Sequence, residues 1–240
     1  MKYFGVTEKG NFIDHSDPEP LQNQNVLSAS QTNLPASDLT LLSSAKGKIF
    51  KARASRVRPH LDDKVLASWN GLMLGALARA SAVLGEQSYR QAAEKNFRFL
   101  SSKLWDAKTK TLYHRWRDGE RDSVQLLEGY AFLLAGALDL YQVTLEPEHL
   151  EFCVALGESM LNKFYDSAAG GFWQTPTDSA HLILRIKEDY DGAEPSGNSV
   201  AILALLKLAS ITERKDFKDA AEKSLLIFSE RLEQMPQAVG

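Results

Sequence analysis

The stretch Leu126-Leu-Glu-Gly-Tyr-Ala-Phe-Leu-Leu-Ala-Gly-Ala-Leu-Asp-Leu-Tyr141 decides the fold of this chain of 240 residues. It belongs to a predicted helix, about 122–143, that is apolar nearly all round. Such a helix is expected to be buried on every side. Predicted helices at 63–84 and 197–211 have the same character, so the three are expected to form an inner layer.

Helices with one polar face follow each inner helix, at 88–103, 148–163 and 216–234, and an amphipathic helix is predicted earlier, at 38–55. An internal repeat supports hairpins of one inner and one outer helix, because Lys103-Leu-Trp-Asp106 matches Lys163-Phe-Tyr-Asp166 at a spacing of 60 residues. The pattern predicts an all-α fold of the α/α toroid type. An α-solenoid is the alternative, but its helices would normally each keep a solvent-facing side.

Composition and linker content set the domain organisation and exclude several classes of protein. We expect an irregular N-terminal segment over 1–37 and a single toroid domain over 38–240, because no Gly/Ser or Pro-rich linker interrupts the latter. The net charge of −3 gives no general attraction to nucleic acid or to an anionic membrane. No apolar run reaches the roughly 18 residues needed to span a bilayer. The single cysteine, Cys153, excludes an internal disulfide and is expected to be buried, and a cytoplasmic location is predicted.

Loop lengths indicate where function lies. Connections from inner to outer helices are short, whereas those from outer to inner helices are long, about 104–121 and 164–196. Both long loops carry segments typical of small β-hairpins, at 112–116 in the first and at 170–174 and 182–185 in the second. They meet the N-terminal ends of the inner helices, where helix dipoles are positive, so we expect the functional site at that end.

Two motifs resemble a known family. Arg58-Pro-His-Leu-Asp-Asp-Lys-Val-Leu-Ala-Ser-Trp-Asn-Gly-Leu-Met73 and Tyr190-Asp-Gly-Ala-Glu-Pro-Ser-Gly-Asn-Ser-Val200 are similar to segments of the thioredoxin-domain-containing spermatogenesis-associated family. The resemblance implies a partial (α/α)6 toroid related to six-hairpin glycosidases and N-acylglucosamine 2-epimerases. The chain lacks the family's thioredoxin-like part and resembles a middle-to-late piece of the ring. Gly129 stands where the family is expected to have Asp, which would remove that group from a sugar site.

The polar clusters before the inner helices supply candidate catalytic residues. Histidines would act as proton shuttles in an epimerisation, and carboxylates would serve a glycoside hydrolysis. Capping of the second helix is the alternative for the paired aspartates. The predicted catalytic residues are His60, Asp62, Asp63, His114, Asp191 and Glu194.

Neighbouring side chains are predicted to bind the substrate: Arg58, Lys64, Trp69, Asn70, Trp116, Arg185, Ser196 and Asn198. Each has a structural alternative: core packing for Trp69, a buried polar network for Asn70, a packed hairpin for Trp116 and an N-cap for Ser196. No metal and no other cofactor is predicted, because the five histidines lack metal-ligand spacing.

Three hypotheses of function remain. The first is a toroid that binds a small carbohydrate or acts on it, as a sugar epimerase or isomerase or as a glycoside hydrolase. The second is a non-catalytic scaffold whose apolar toroid edges are covered by a second copy or by a partner chain. The third, a redox accessory module, is implied only by the thioredoxin domain of the family.

Overall fold

The computed structural model describes residues 2–29, 33–179 and 184–235, and the chain divides into two compact units, 1–61 and 62–240. The first unit contains a 3-10 turn, Lys2–Phe4, and helix α1, Ala36–Ala54. The structure gives α1 no buried residue, so the apolar face predicted for it is not buried. The predicted start of the toroid domain at residue 38 stays a prediction.

Among its described residues the second unit contains three helix hairpins, and this confirms the predicted α/α toroid fold. The helices are α2 Ala67–Leu84, α3 Gln87–Lys103, α4 Leu127–Thr144, α5 Pro147–Phe164, α6 Gly197–Thr212 and α7 Lys215–Gln234. They begin and end within a few residues of the predicted positions, except that α2 and α4 start four to five residues later. α4 packs against α2 on one side and α6 on the other, while α3, α5 and α7 pack on α2, α4 and α6 respectively. The inner layer is therefore α2–α4–α6, as predicted.

Burial on every side holds for α4 alone. That helix buries most of its length, including Tyr130, Phe132 and the charged Asp139. The prediction is wrong for α2 and α6, because each has an inner-layer neighbour on only one side within the described residues. Their other sides expose large apolar side chains: Trp69, Leu72, Met73, Val83 and Leu84 on α2, and Leu203 on α6.

Glycine lets α2 and α4 cross with their backbones in contact. A methyl group added at Gly71 would lie 2.5 Å from the backbone nitrogen of Leu133, and one at Gly136 would overlap the backbone of Gly71. The Arg79 guanidinium forms an ion pair with the buried Asp139 carboxylate across the same interface. Burial raises the pKa of Asp139, and the charge of Arg79 lowers it in part.

Short strands occur in the first long loop, as predicted. Strand β1, Val65–Leu66, pairs antiparallel with β4, Arg115–Arg117, which also pairs with β5, Glu120–Arg121; β2, Trp105–Asp106, pairs with β3, Thr111–Leu112. Among the described residues of the second loop, pairing is limited to the bridge between Tyr165 and Phe172. Residues 182 and 183 of the hairpin predicted there lie outside the described residues.

The internal repeat is also a structural repeat. Asp106 Oδ1 accepts hydrogen bonds from the backbone N–H groups two and three residues later, and Asp166 Oδ1 does the same. A cation completes each turn, since Arg121 binds Asp106 at 2.9 Å and Lys187 binds Asp166 at 2.8 Å. One turn geometry thus joins an outer helix to the loop after it in both copies.

Candidate functional site

The first turns of the three inner helices lie side by side. A methyl group added at Gly129 would contact Ala67 Cβ at 3.6 Å, and one at Gly197 would lie 3.4 Å from the backbone nitrogen of Glu128. The positive N-terminal ends of α2, α4 and α6 therefore lie next to one another at one end of the second unit.

Glu128, in the first turn of α4, is the central ionisable group of the site. Burial raises the pKa of Glu128 most, and the charges of Glu194 and Glu188 raise it further. The charge of His114 and the hydroxyl of Ser68 lower this pKa in part. A carboxyl group that keeps its proton above the usual range can serve as a general acid. Glu128 was not among the predicted site residues, although a lone acid at the start of an otherwise apolar helix is a usable signal.

The exposed ring of Trp69 and the carboxylates of Glu194 and Glu188 lie near Glu128. The indole Nε1 of Trp69 donates to Glu194 Oε2 at 3.1 Å, and the amide of Gln174 donates to Glu188 Oε2 at 3.2 Å. Trp69, Glu188, Tyr190 and Glu194 line an open depression. Because Trp69 is 62% exposed and its orientation is fixed by the bond to Glu194, its ring can receive a flat ligand.

Two buried polar atoms of the site lack a hydrogen-bond partner of normal geometry among the described residues: Ser68 Oγ and His114 Nδ1. Ser68 is 1% exposed and its hydroxyl faces the Glu128 carboxyl. The backbone of His114 is fixed, since its carbonyl accepts from Ala67 N at 2.9 Å. Buried polar groups are normally paired, so these atoms indicate a place where a ligand hydroxyl or a water binds.

The loop before α6 is held by three of the predicted residues. Asp191 Oδ1 accepts from Ser196 N at 2.7 Å, and Ser196 Oγ accepts from Ser199 N at 3.1 Å as the N-cap of α6. Asn198, 1% exposed, bonds both backbone groups of Phe172 and the carbonyl of Glu188. These contacts hold the loop that carries Glu188 and Glu194, and the predicted roles of Asp191, Ser196 and Asn198 toward a ligand stay predictions.

The charged residues before α2 are exposed. Arg58 and His60 belong to the first unit, whereas Asp62 forms an ion pair with Lys64 at 3.3 Å and Asp63 forms one with Arg117 at 2.9 Å. The alternative that an aspartate caps α2 is wrong, because the helix starts at Ala67 and Leu66 occupies its N-cap without a side-chain bond.

Three predicted binding residues contact the scaffold. Asn70 Nδ2 donates to Leu66 O at 2.9 Å within its own helix. Trp116 packs against Phe99 and lies 5.3 Å from the Lys103 ammonium. Arg185 stacks 4.5 Å from the centre of the Trp173 ring and donates to Thr175 O. Their roles in binding stay predictions, whereas His114, Trp69 and Glu194 are brought together around Glu128.

Other parts of the described structure have fewer polar groups placed to bind or convert a ligand. The groove between α6 and α7 is almost wholly apolar, and its one acid, Asp189, is paired with Arg231. Cys153 is fully buried, as predicted, and burial raises the pKa of its thiol. Across residues 2–29, 33–179 and 184–235, no three His, Cys, Asp or Glu side chains are grouped as metal ligands. Nor does any helix in those ranges have the length and apolar character needed to cross a membrane.

Comparison with known proteins connects this geometry to a family. Human spermatogenesis-associated protein 20 is 38% identical over 258 residues, and the mouse protein of that name is 36% identical; both matches cover the whole of this chain. The chain is a homologue of spermatogenesis-associated protein 20. It spans about one third of the length of these relatives. No protein-family model matches it.

Solved structures identify the fold. A cellobiose 2-epimerase from Spirochaeta thermophila superposes with a TM-score of 0.56 and 22% identity, over 69% of this chain and 43% of the epimerase. A family 76 glycoside hydrolase, a mannosidase from Bacteroides thetaiotaomicron, superposes with a TM-score of 0.56 and 17% identity. The match covers 70% of this chain and 44% of the mannosidase. Identities this low show a shared fold alone, the α/α toroid of these glycosidases and epimerases.

Proposed function

We propose that the second unit forms the sugar site of a carbohydrate-acting toroid, at the first turns of α2, α4 and α6. The observation that carries the proposal is the half-buried Glu128 carboxyl, whose pKa responds to His114 and Glu194, together with the exposed Trp69 ring that donates to Glu194. The named activities of the epimerase and mannosidase neighbours support a carbohydrate as the ligand.

The proposed chemistry is proton transfer on a bound sugar. Glu128 donates a proton to a sugar oxygen, because burial and neighbouring carboxylates favour its protonated form. Glu194 or His114 accepts a proton on the other side of the reacting group. Trp69 holds the apolar face of the sugar ring, and Ser68 Oγ and His114 Nδ1 offer hydrogen bonds to its hydroxyl groups.

Calorimetric titration and product analysis test this proposal. The chain would be titrated with glucose- and mannose-configured mono- and disaccharides and with their amino forms, beside Glu128→Gln and Trp69→Ala. We expect Trp69→Ala to weaken binding by about tenfold, as loss of a stacking contact of about 1.4 kcal/mol implies. We expect Glu128→Gln to keep binding and to lose turnover.

Proton NMR in heavy water then separates the reactions. Epimerisation exchanges the hydrogen at the epimerised carbon, whereas hydrolysis releases a new reducing end. Glu222→Gln is the matched control, because that carboxylate lies on the exposed side of α7 and pairs with Lys218. Binding of no sugar by a cooperatively folded protein would overturn the proposal.

The scaffold alternative has its own supporting observation. Met73 is 55% exposed and Val83 is 82% exposed on the uncovered side of α2. Apolar surface of this kind favours association with a second chain. Light scattering after size-exclusion chromatography measures the oligomeric state. A monomer at all concentrations would contradict self-association. If an oligomer forms and the Met73→Lys variant dissociates it, the contact lies on α2.

A further inference from the structure

Within the described residues, the carboxylates of the site lack the cations that pair with other acids of the second unit. Asp106, Asp166 and Asp189 each form an ion pair. In contrast, the hydrogen bonds made by Glu188 and Glu194 come from the neutral donors Gln174 and Trp69. Among the described residues neither these two nor Glu128 has a Lys or Arg within ion-pair distance, so negative charge accumulates here.

The helix ends at the site do not offset this charge for an incoming anion. Each positive helix end amounts to about half an elementary charge, and the effect fades within one turn. In addition, one N–H in each first turn is already used: Ala67 N donates to His114 O, Leu127 N to Gln174 O, and Ser199 N to the Ser196 hydroxyl. A phosphorylated or uronic sugar would therefore meet the carboxylates of Glu188 and Glu194.

A buried hydroxyl near the carboxylates supports a ligand position rather than a solvated acidic patch. Ser68 Oγ is enclosed, lacks a partner of normal geometry among the described residues, and faces Glu128. His114 Nδ1 is a second such atom. Because no three potential ligands are grouped as for a metal within the described ranges, an organic cation fits the site better than a metal ion.

We infer that the sugar bound here carries a free, protonated amino group, held by the Glu188 and Glu194 carboxylates beside the face of Trp69. This inference rests on the proposed function, since it specifies the ligand of the same site. An ammonium group can contact the electron-rich face of the indole and a carboxylate at once. Because the Trp69 N–H is bonded to Glu194, the ring and that carboxylate are presented together.

Calorimetric titration of the full chain with matched sugars tests the inference. The probes are glucosamine, N-acetylglucosamine, glucose and glucose 6-phosphate, together with a chitosan trisaccharide and its fully N-acetylated form. We expect the free amines to bind about tenfold more tightly than their acetylated counterparts, the lower end for a charge-assisted hydrogen bond. The preference should shrink as salt is raised, because the depression is open to solvent.

A double variant identifies the groups responsible. Glu188→Gln/Glu194→Gln should reduce the preference for the amine over the acetylated sugar to within about twofold. Glu222→Gln should retain the full preference. If the double variant fails to fold by circular dichroism, the single Glu188→Gln and Glu194→Gln variants and the salt dependence of the wild type decide.

The outcomes separate the two proposals. Equal binding of amine and acetylated sugars by the wild type overturns the inference and leaves the proposed function standing. A preference that survives in the double variant or at high salt also overturns the inference. Failure of every probe to bind the folded chain overturns the inference and the proposed sugar site together.

Discussion

Replacement of Gly71 by alanine should force the two central helices apart. The added methyl carbon would lie 2.5 Å from Leu133 N and 2.6 Å from Phe132 C, both backbone atoms of α4 that cannot rotate away. Overpacking costs up to about 3 kcal/mol, and alanine recovers about 1 kcal/mol through its helix propensity. The net loss is therefore about 2 kcal/mol.

Thermal melting followed by circular dichroism measures this loss. For a domain of this size 1 kcal/mol corresponds to about 2–4 °C, so the midpoint for Gly71→Ala should fall by about 4–8 °C. Gly129→Ala is the matched control in the same unit, because its methyl group would meet Ala67 and Leu112 at ordinary distances of 3.6 and 3.8 Å. Equal midpoints for the Gly71 variant and the wild type would refute the backbone-to-backbone crossing.

Two further predictions concern the site. Glu128→Gln should have the same melting midpoint as the wild type at about pH 4 and a progressively higher midpoint toward about pH 7. The reason is that the raised pKa of Glu128 in the folded protein gives this residue a stabilising contribution at low pH, which is lost as pH rises through that pKa. A pH-independent difference between the two melting curves would contradict this. Asn198→Ala should lose about 3 kcal/mol in urea unfolding, since it leaves both backbone groups of Phe172 and the Glu188 carbonyl without their partner. Asn70→Ala, which removes one bond within α2, should cost less than about 1 kcal/mol, and similar losses for both would argue against a special role for Asn198.

Hydrophobic periodicity predicted the helices well because it reports which residues avoid water. The inner and outer layers of the second unit follow from it directly. Periodicity could not predict the exposure of Trp69 and Met73, since an apolar side chain does not reveal whether a neighbouring helix covers it. The same limit applies to α1, whose apolar side chains the structure leaves unburied.

The site was only partly predictable for a related reason. His114 and Glu194 stand beside turn-forming residues, and that context predicted both as site residues; in the structure the charges of both act on the pKa of Glu128. Glu128 lies inside an apolar helix, so its importance depends on which loops reach it in three dimensions. Sequence could not show that the side chains of Asp191 and Asn198 bond to backbone groups, and their predicted roles toward a ligand stay predictions.

The repeated aspartate turn is followed by return segments of different length in its two copies. After the first turn the chain returns to an inner helix over residues 114–126, whereas after the second it runs over residues 174–196 and contributes Glu188 and Glu194. Each turn is closed by its own aspartate, and the cation that pairs with it, Arg121 or Lys187, comes from the return segment itself. Changes in the second return segment that keep Lys187 would therefore leave the turn closed, and under the proposed function they would alter the choice of ligand without moving the helices.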